Sequence, residues 1–140
     1  MITTAQTAKR LGWAGLLPFL AAPIALYWSA EQTAMVGFAI AAYALVILCF
    51  LAGAWWGIAL LRRRPAILVV SNLVVVVAWA GFVLLDRQAF LLLLAALLIG
   101  TVGLERMYPM FRPQPQYYAV LRMRLSAVAS LSLVLSALLL

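Results

Sequence analysis

The sequence predicts an all-α protein, a polytopic membrane bundle of five transmembrane helices, from three observations. Hydrophobic residues make up 69% of the 140 residues and charged residues only 9%, whereas a soluble domain has about 45–50% apolar and about 25% charged residues. The apolar residues form five long runs, and the basic residues lie almost entirely between them. Because a short soluble chain needs a large polar surface, residues 1–140 are interpreted as a single integral membrane domain.

Each apolar run approaches the length of about 20 residues that a helix needs to cross the hydrocarbon core. The predicted spans are residues 11–29, 34–61, 66–85, 88–104 and 119–140, with a cytoplasmic Pro/Arg-rich loop at 105–118. Pro18 and Pro23 predict a kink in the first span, with neighbouring helices or side-chain hydroxyls satisfying the freed carbonyl groups. Residues 62–65, three arginines and a proline, predict a sharp end to the second helix.

The distribution of basic residues predicts the orientation of the chain. With five spans, nine basic residues share the side of the N-terminus and only Arg87 lies on the other side. The nine are Lys9, Arg10, Arg62, Arg63, Arg64, Arg106, Arg112, Arg122 and Arg124. Because basic loops stay in the cytoplasm, the N-terminus is predicted inside and the C-terminus outside. The first eight residues are unlike a mitochondrial transit peptide, which favours the bacterial inner (cytoplasmic) membrane.

The polar inventory argues against catalysis and against cofactors. The sequence has no histidine, and its one cysteine, Cys49, lies in an apolar run. The commonest metal ligand and general base is therefore missing. We predict no catalytic residue, no metal site and no cofactor, hence no enzyme. The net charge of +7 is explained by topology, because nucleic-acid binders carry basic patches on polar domains.

Two groups of residues are candidates for contacts. Gly53 and Gly57 form a GxxxG pair around Trp55 and Trp56, and such glycines let another backbone approach closely. This face, with Asn72 of the third span, is predicted to pack against a helix or to hold a lipid tail or quinone ring. Asn72 should face the bundle, because an amide in hydrocarbon needs a partner.

The arginines of the cytoplasmic side form the second group, a candidate face for anionic lipid. Its members are Arg62, Arg63, Arg64, Arg106, Arg112, Arg122 and Arg124. Arg122 and Arg124 are expected to snorkel from the first turns of the last helix to the headgroups. Glu105 is expected to pair with the adjacent Arg106 at the interface.

These features favour a non-enzymatic inner-membrane protein, an accessory or assembly factor associated with lipid, quinone or a larger membrane complex. Membrane lipid is the expected partner, and a larger complex remains open. The alternative is a small transporter or channel, which requires a polar path. The candidates to line one are Ser29, Tyr43, Ser71, Asn72 and Thr101.

Three stretches resemble a small proteobacterial inner-membrane family, a domain of unknown function that includes a mitochondrial transmembrane protein of unassigned role. The stretches are Leu11-Gly12 through Gly15-Leu16-Leu17-Pro18-Phe19, Ile47 to Gly53 with Trp56-Gly57, and Tyr117 with Leu121-Arg122 and Leu125-Ser126. The family's central motif often has a second glycine and a histidine before the tryptophan, where this chain has Ala52 or Ala54 and Trp55. The resemblance implies five helices in a bacterial or mitochondrial inner membrane and no established activity.

Overall fold

The computed structural model describes residues 3–28, 30–108 and 115–140, and in these ranges its regular structure is entirely helical. The elements are α1 (Thr4–Ala14), α2 (Leu17–Trp28), a 3₁₀ turn (Ala30–Gln32), α3 (Thr33–Arg62), α4 (Pro65–Leu84), α5 (Arg87–Met107) and α6 (Gln116–Leu139). Taking α1 and α2 as one span, five helical stretches are long and apolar enough to cross a membrane. The predicted all-α fold with five spanning helices is confirmed, and the orientation of its termini remains a prediction.

The first span is broken between α1 and α2. A capping box starts α1, in which the side chains of Thr3 and Gln6 bond to each other's backbone N–H groups, so the helix begins earlier than predicted. The break falls at Gly15 and Leu16, just before Pro18, because proline has no N–H to donate to the preceding turn. The Tyr43 hydroxyl of α3 donates to the Gly15 carbonyl at 3.0 Å, the kind of compensation that the prolines predict.

The helix α3 ends as the sequence predicts, in the run of three arginines before Pro65. Its 30 residues would extend about 45 Å at 1.5 Å per residue, so it is longer than the hydrocarbon core and must tilt or emerge. Arg63 closes the helix in the left-handed conformation, with φ 52° and ψ 49°. The N–H of Arg64 reaches back to the Ala59 carbonyl at 3.0 Å, which completes a Schellman-type C-cap.

The helices on either side of the predicted 105–118 loop extend into it. α5 starts at an N-cap, where the Asp86 carboxylate accepts from the Ala89 N–H at 2.9 Å, and continues through Glu105 to Met107. α6 begins at Gln116, directly after Pro115. The loop is therefore shorter than predicted on both sides, since a polar residue ends a hydropathy run without ending a helix. Residues 109–114, including Arg112, lie outside the described part of the chain.

The helices surround a core of aromatic, leucine and small side chains. Its buried members include Phe19, Leu48, Phe90, Leu94 and Leu133. α5 and α6 make the most extensive helix pair, and α6 also packs on α2. Because lipid tails are as apolar as leucine, this packing gains its stability from van der Waals contact and not from expulsion of water.

Contacts between helices define the two ends of the bundle. At one end Lys9 of α1 lies 5.7 Å from the ring centroid of Tyr117 of α6. At the other end the Arg87 guanidinium lies 5.3 Å from the Phe38 ring and 5.6 Å from the Phe82 ring. We call the first the arginine-rich end, since it also carries the turn at Arg62 to Arg64 between α3 and α4.

The left-handed Arg63 predicts a stabilising substitution. Arg63→Gly should raise the free energy of unfolding by about 0.5–1 kcal/mol, because an L-residue pays for a positive φ that glycine adopts freely. Thermal melting in detergent measures the change. Arg64→Gly is the matched control, since Arg64 has an ordinary φ of −113° and should lose stability through backbone entropy. Equal effects of the two substitutions would show that Arg63 is not strained.

Candidate functional site

Polar residues of α5 and α6 meet inside the bundle near the arginine-rich end. Thr101 and Glu105 are four residues apart on α5, and Arg122 and Ser126 are four residues apart on α6. Residues at this spacing lie on one face of a helix. α5 and α6 pack closely, so both pairs come together in what we call the Arg122 cluster, which comprises these four residues and Trp55 of α3.

Each of the three nitrogens of the Arg122 guanidinium contacts a different side chain. Its Nε lies 3.4 Å from Glu105 Oε1, and its Nη1 donates to Ser126 Oγ at 2.6 Å. Its Nη2 donates to Thr101 Oγ1 at 3.3 Å, and that hydroxyl donates in turn to the Leu98 carbonyl at 2.8 Å. Arg122 is only 6% exposed, so the bundle replaces water around its charge.

Trp55 joins α3 to this cluster. Its indole Nε1 donates to Glu105 Oε1 at 2.8 Å, so one carboxylate oxygen accepts from both Trp55 and Arg122. The indole is 2% exposed and packs with Ala59 and Ile67 in a small second core beside the main one. A charge withdrawn from water is tolerated only when it is paired and hydrogen-bonded, and this arrangement satisfies both conditions for Glu105, whose side chain is 13% exposed.

An amphipathic cavity of about 360 Å³ opens beside the Arg122 cluster. Its wall is mostly apolar and comes from α1, α2, α3, α5 and α6. The polar groups on the wall include Tyr118, Arg122 and Ser126. The apolar side chains on the wall include Leu11, Leu16, Phe19, Ile47, Phe50, Leu51, Leu98, Leu121 and Leu125. The cavity thus combines a polar end with an apolar body.

The predicted Gly53/Gly57 face does not pack within the chain. A Cβ atom built at either glycine would meet nothing within 4 Å, and both glycines are exposed. The two tryptophans lie on different sides of α3, since Trp55 is buried and Trp56 is 42% exposed. Adjacent residues point about 100° apart on a helix, so Trp55 faces Glu105 while Trp56 lies on the outer surface with the glycines.

Asn72 also departs from its prediction. It is exposed, and its side-chain amide donates to the Leu68 carbonyl of its own helix at 2.8 Å, so it needs no partner inside the bundle. The other described candidates for a polar path likewise bond to backbone carbonyls: Ser71 to Leu68, Thr101 to Leu98 and Tyr43 to Gly15. Ser29 lies outside the described residues.

The predicted anionic-lipid face loses one member, because Arg122 faces inward instead of snorkelling. Glu105 pairs with Arg122 rather than with its neighbour Arg106, whose Nη2 contacts the Met123 sulfur. The remaining described arginines of that face are exposed: Arg62, Arg63, Arg64, Arg106 and Arg124.

Sequence reasoning missed the Arg122 cluster because hydropathy placed Glu105 and Arg122 at span ends. The recurrent four-residue spacing of polar residues was the signal that could have found it.

The fold and its cavity define a small polytopic helical membrane protein with a buried polar cluster. The chain belongs to the family described as protein of unknown function (DUF3429), which matches residues 4–138, so the predicted resemblance is confirmed. It is 32% identical over 134 residues to Transmembrane protein 69 of Xenopus tropicalis, covering 92% of this chain and 53% of that protein. The chain thus spans about half the length of this relative. No solved structure matches it.

Because Gly57 is exposed, we predict that a larger side chain there does not destabilise the bundle. Gly57→Leu should leave the melting temperature in detergent unchanged or slightly raised, because leucine favours a helix more than glycine does. Gly81→Leu is the contrasting variant, since a Cβ at Gly81 would overlap the Leu93 side chain and approach Phe90. Overpacking there should cost about 1–3 kcal/mol. A large loss for Gly57→Leu would show that this face contacts another helix.

The Arg122 cluster predicts strong coupling between its charges. Arg122→Met should cost about 1.5–3 kcal/mol, because it removes charged hydrogen bonds and leaves the Glu105 carboxylate, whose side chain is 13% exposed, without its cation. Adding Glu105→Gln should restore part of the loss, with a coupling energy on the order of 0.5–3 kcal/mol in a double-mutant cycle. Arg106→Met, an exposed neighbour, should change stability by less than about 0.5 kcal/mol. Additive effects of Arg122→Met and Glu105→Gln would contradict a coupled pair.

Proposed function

We propose that this protein is a non-enzymatic accessory protein that holds a membrane lipid or quinone in the amphipathic cavity. The observation that carries the proposal is the placement of Arg122 and Ser126 at the wall of an otherwise apolar cavity within the membrane-spanning helices. Such cavities, with a few polar groups on an apolar wall, are the usual form of a small-molecule site.

The polar end of the amphipathic cavity suits a ligand whose headgroup accepts hydrogen bonds. Arginine carries only N–H donors, and the Tyr118 and Ser126 hydroxyls can donate or accept. The Glu105 carboxylate lies 3.4 Å from the guanidinium and offsets its positive charge. A neutral oxygen, such as a quinone or ester carbonyl, therefore suits this end better than a second anion.

The size of the cavity limits how much of the ligand it encloses. Its volume of about 360 Å³ lies near the lower end of the range of about 300–1,000 Å³ for ligand pockets. One ring with the start of its tail, or one segment of an acyl chain, suits that volume. The rest of the tail would continue into the surrounding bilayer.

The proposed setting is the bacterial inner membrane, with the arginine-rich end in the cytoplasm. It is supported by the nine-to-one distribution of basic residues and by the positive-inside rule. A role as an accessory or assembly factor for a larger membrane complex fits a protein that binds a membrane molecule without a catalytic pair. The transporter alternative gains no support from the described polar candidates, since each bonds to a nearby backbone carbonyl.

Filling the cavity should expel its ligand. Ala8→Phe places an aromatic ring at the cavity wall, and Ala14→Phe places the same ring on an exposed site of α1 outside it. After purification in mild detergent, retained quinones and glycerophospholipids are quantified by chromatography and mass spectrometry. Ala8→Phe should lower the retained species by about tenfold, equivalent to about 1.4 kcal/mol of binding, while Ala14→Phe leaves it unchanged.

The two ligand classes give separate results in this experiment. A selective loss of quinone assigns the cavity to a ring, and a selective loss of phospholipid assigns it to an acyl chain. If Ala8→Phe melts like the wild type and retains both classes in full, the cavity holds neither and the proposal is wrong.

A further inference from the structure

A second groove lies on the outer side of the contact between α1 and α6. It measures about 400 Å³ and is lined by Lys9, Trp13, Tyr117, Val120, Leu121 and Arg124. The α1–α6 contact is close at Gly12, where a Cβ would lie 2.7 Å from Leu125 Cδ1, and Leu121 lines both the groove and the amphipathic cavity. We call it the basic groove, because it joins two cations to two aromatic rings at the arginine-rich end.

Among the described residues, no acidic side chain neutralises the two cations of the groove. The sequence contains three acidic residues. Glu105 is paired with Arg122 inside the bundle. Asp86 caps α5 and Glu31 lies between α2 and α3, both at the opposite end. Lys9 and Arg124 are exposed, so both cations are open to an anion from outside the described part of the chain.

The directions of the two helices bring these cations together. α1 and α6 both begin at the arginine-rich end, and a side chain on a helix leans towards the helix N-terminus. Arg124 starts about 10 Å deeper than Tyr117, seven residues on at 1.5 Å each, and its side chain leans back towards the level of Lys9. Trp13 lies one turn below Lys9, a depth at which interfacial tryptophan is common.

We propose that the basic groove binds the headgroup phosphate of an anionic glycerophospholipid. Lys9 and Arg124 contact the phosphate, and Trp13 with Val120 and Leu121 contact the glycerol region and the first methylenes of the acyl chains. This site adjoins the proposed cavity site, with which it shares Leu121, but its polar groups differ. Its cations are not offset by a carboxylate, so it selects for an anion, whereas the cavity faces the neutralised Arg122.

The test compares two variants that remove equal charge. Lys9→Gln/Arg124→Gln alters the groove, and Arg62→Gln/Arg64→Gln alters two exposed arginines of the same end outside it. Full-length protein in nanodiscs or detergent is titrated with phosphatidylglycerol and with phosphatidylcholine, and bound lipid is counted by native mass spectrometry. The groove variant should lose phosphatidylglycerol affinity by about 30-fold, since it removes the two cations that contact the bound phosphate, whereas Arg62 and Arg64 lie outside the groove. The control should lose less than threefold.

A second measurement locates the lipid at the groove directly. Phosphatidylglycerol brominated on its acyl chains should quench the fluorescence that Trp13 contributes, obtained as the difference between wild type and Trp13→Phe. The groove variant should lose this quenching at low lipid concentration while staying folded, because both altered residues are exposed and the one described contact it removes is that of Lys9 with the Tyr117 ring.

Four results would overturn the proposal. Equal losses in the two double variants would show a diffuse charge effect, and equal retention of phosphatidylcholine would show no selection for an anion. Competition by glycerol phosphate at the same concentration as the lipid would assign the groove to a soluble phosphate. An acidic peptide that binds while the lipid does not would assign it to a protein. Retained phospholipid reports on both sites, so two other results separate the proposals. The groove variant should keep its retained quinone, and Ala8→Phe should keep its selectivity for phosphatidylglycerol.

Discussion

A polar group inside this bundle is costly without a partner in the chain, because hydrocarbon offers none. Among the described residues, the hydroxyl of Ser136 is the one buried side-chain polar group that has no partner. The constraint forces helices throughout, including the valine-rich α4 that would favour a strand in water. It also explains why the Tyr43 hydroxyl bonds to the carbonyl at the α1–α2 break, and why Ser130 donates to the Ala95 carbonyl across α5 and α6. The Arg122 cluster needs the most partners, since a charged guanidinium inside the bundle must be both paired and hydrogen-bonded.

The Arg122 cluster ties three helices together near one end of the bundle. Arg122 comes from α6, Glu105 and Thr101 from α5, and Trp55 from α3. Such a network is directional, whereas van der Waals packing between apolar helices tolerates sliding and rotation. The cluster therefore fixes how the helices meet beside the amphipathic cavity, and it leaves a polar surface there without a net charge.

Hydropathy and the positions of the arginines were enough to predict five helices, because lipid permits few alternatives. They could not predict which face of a helix points inward, since most residues on every face are apolar. Gly53 and Gly57 matched a packing motif but lie on the outer surface, while Gly81 packs against Leu93 and Phe90 without any motif. The prediction that Arg122 snorkels to the headgroups was wrong for a related reason. Hydropathy gives the position of a charge along the helix axis but not the side of the helix on which it lies.

The position of Glu105 links the interior of the bundle to its surface charge. All three acids lie in the described part of the chain, and of these only Glu105 is at the arginine-rich end, where Arg122 pairs with it on the inner side of the bundle. Had Arg122 pointed to the headgroups, Glu105 would have been available to a surface cation such as Arg106 or Arg124. The buried pair instead leaves the outer cations of this end without an acid from the chain. The same interaction that makes the cavity electrically neutral therefore keeps the surrounding surface attractive to anions.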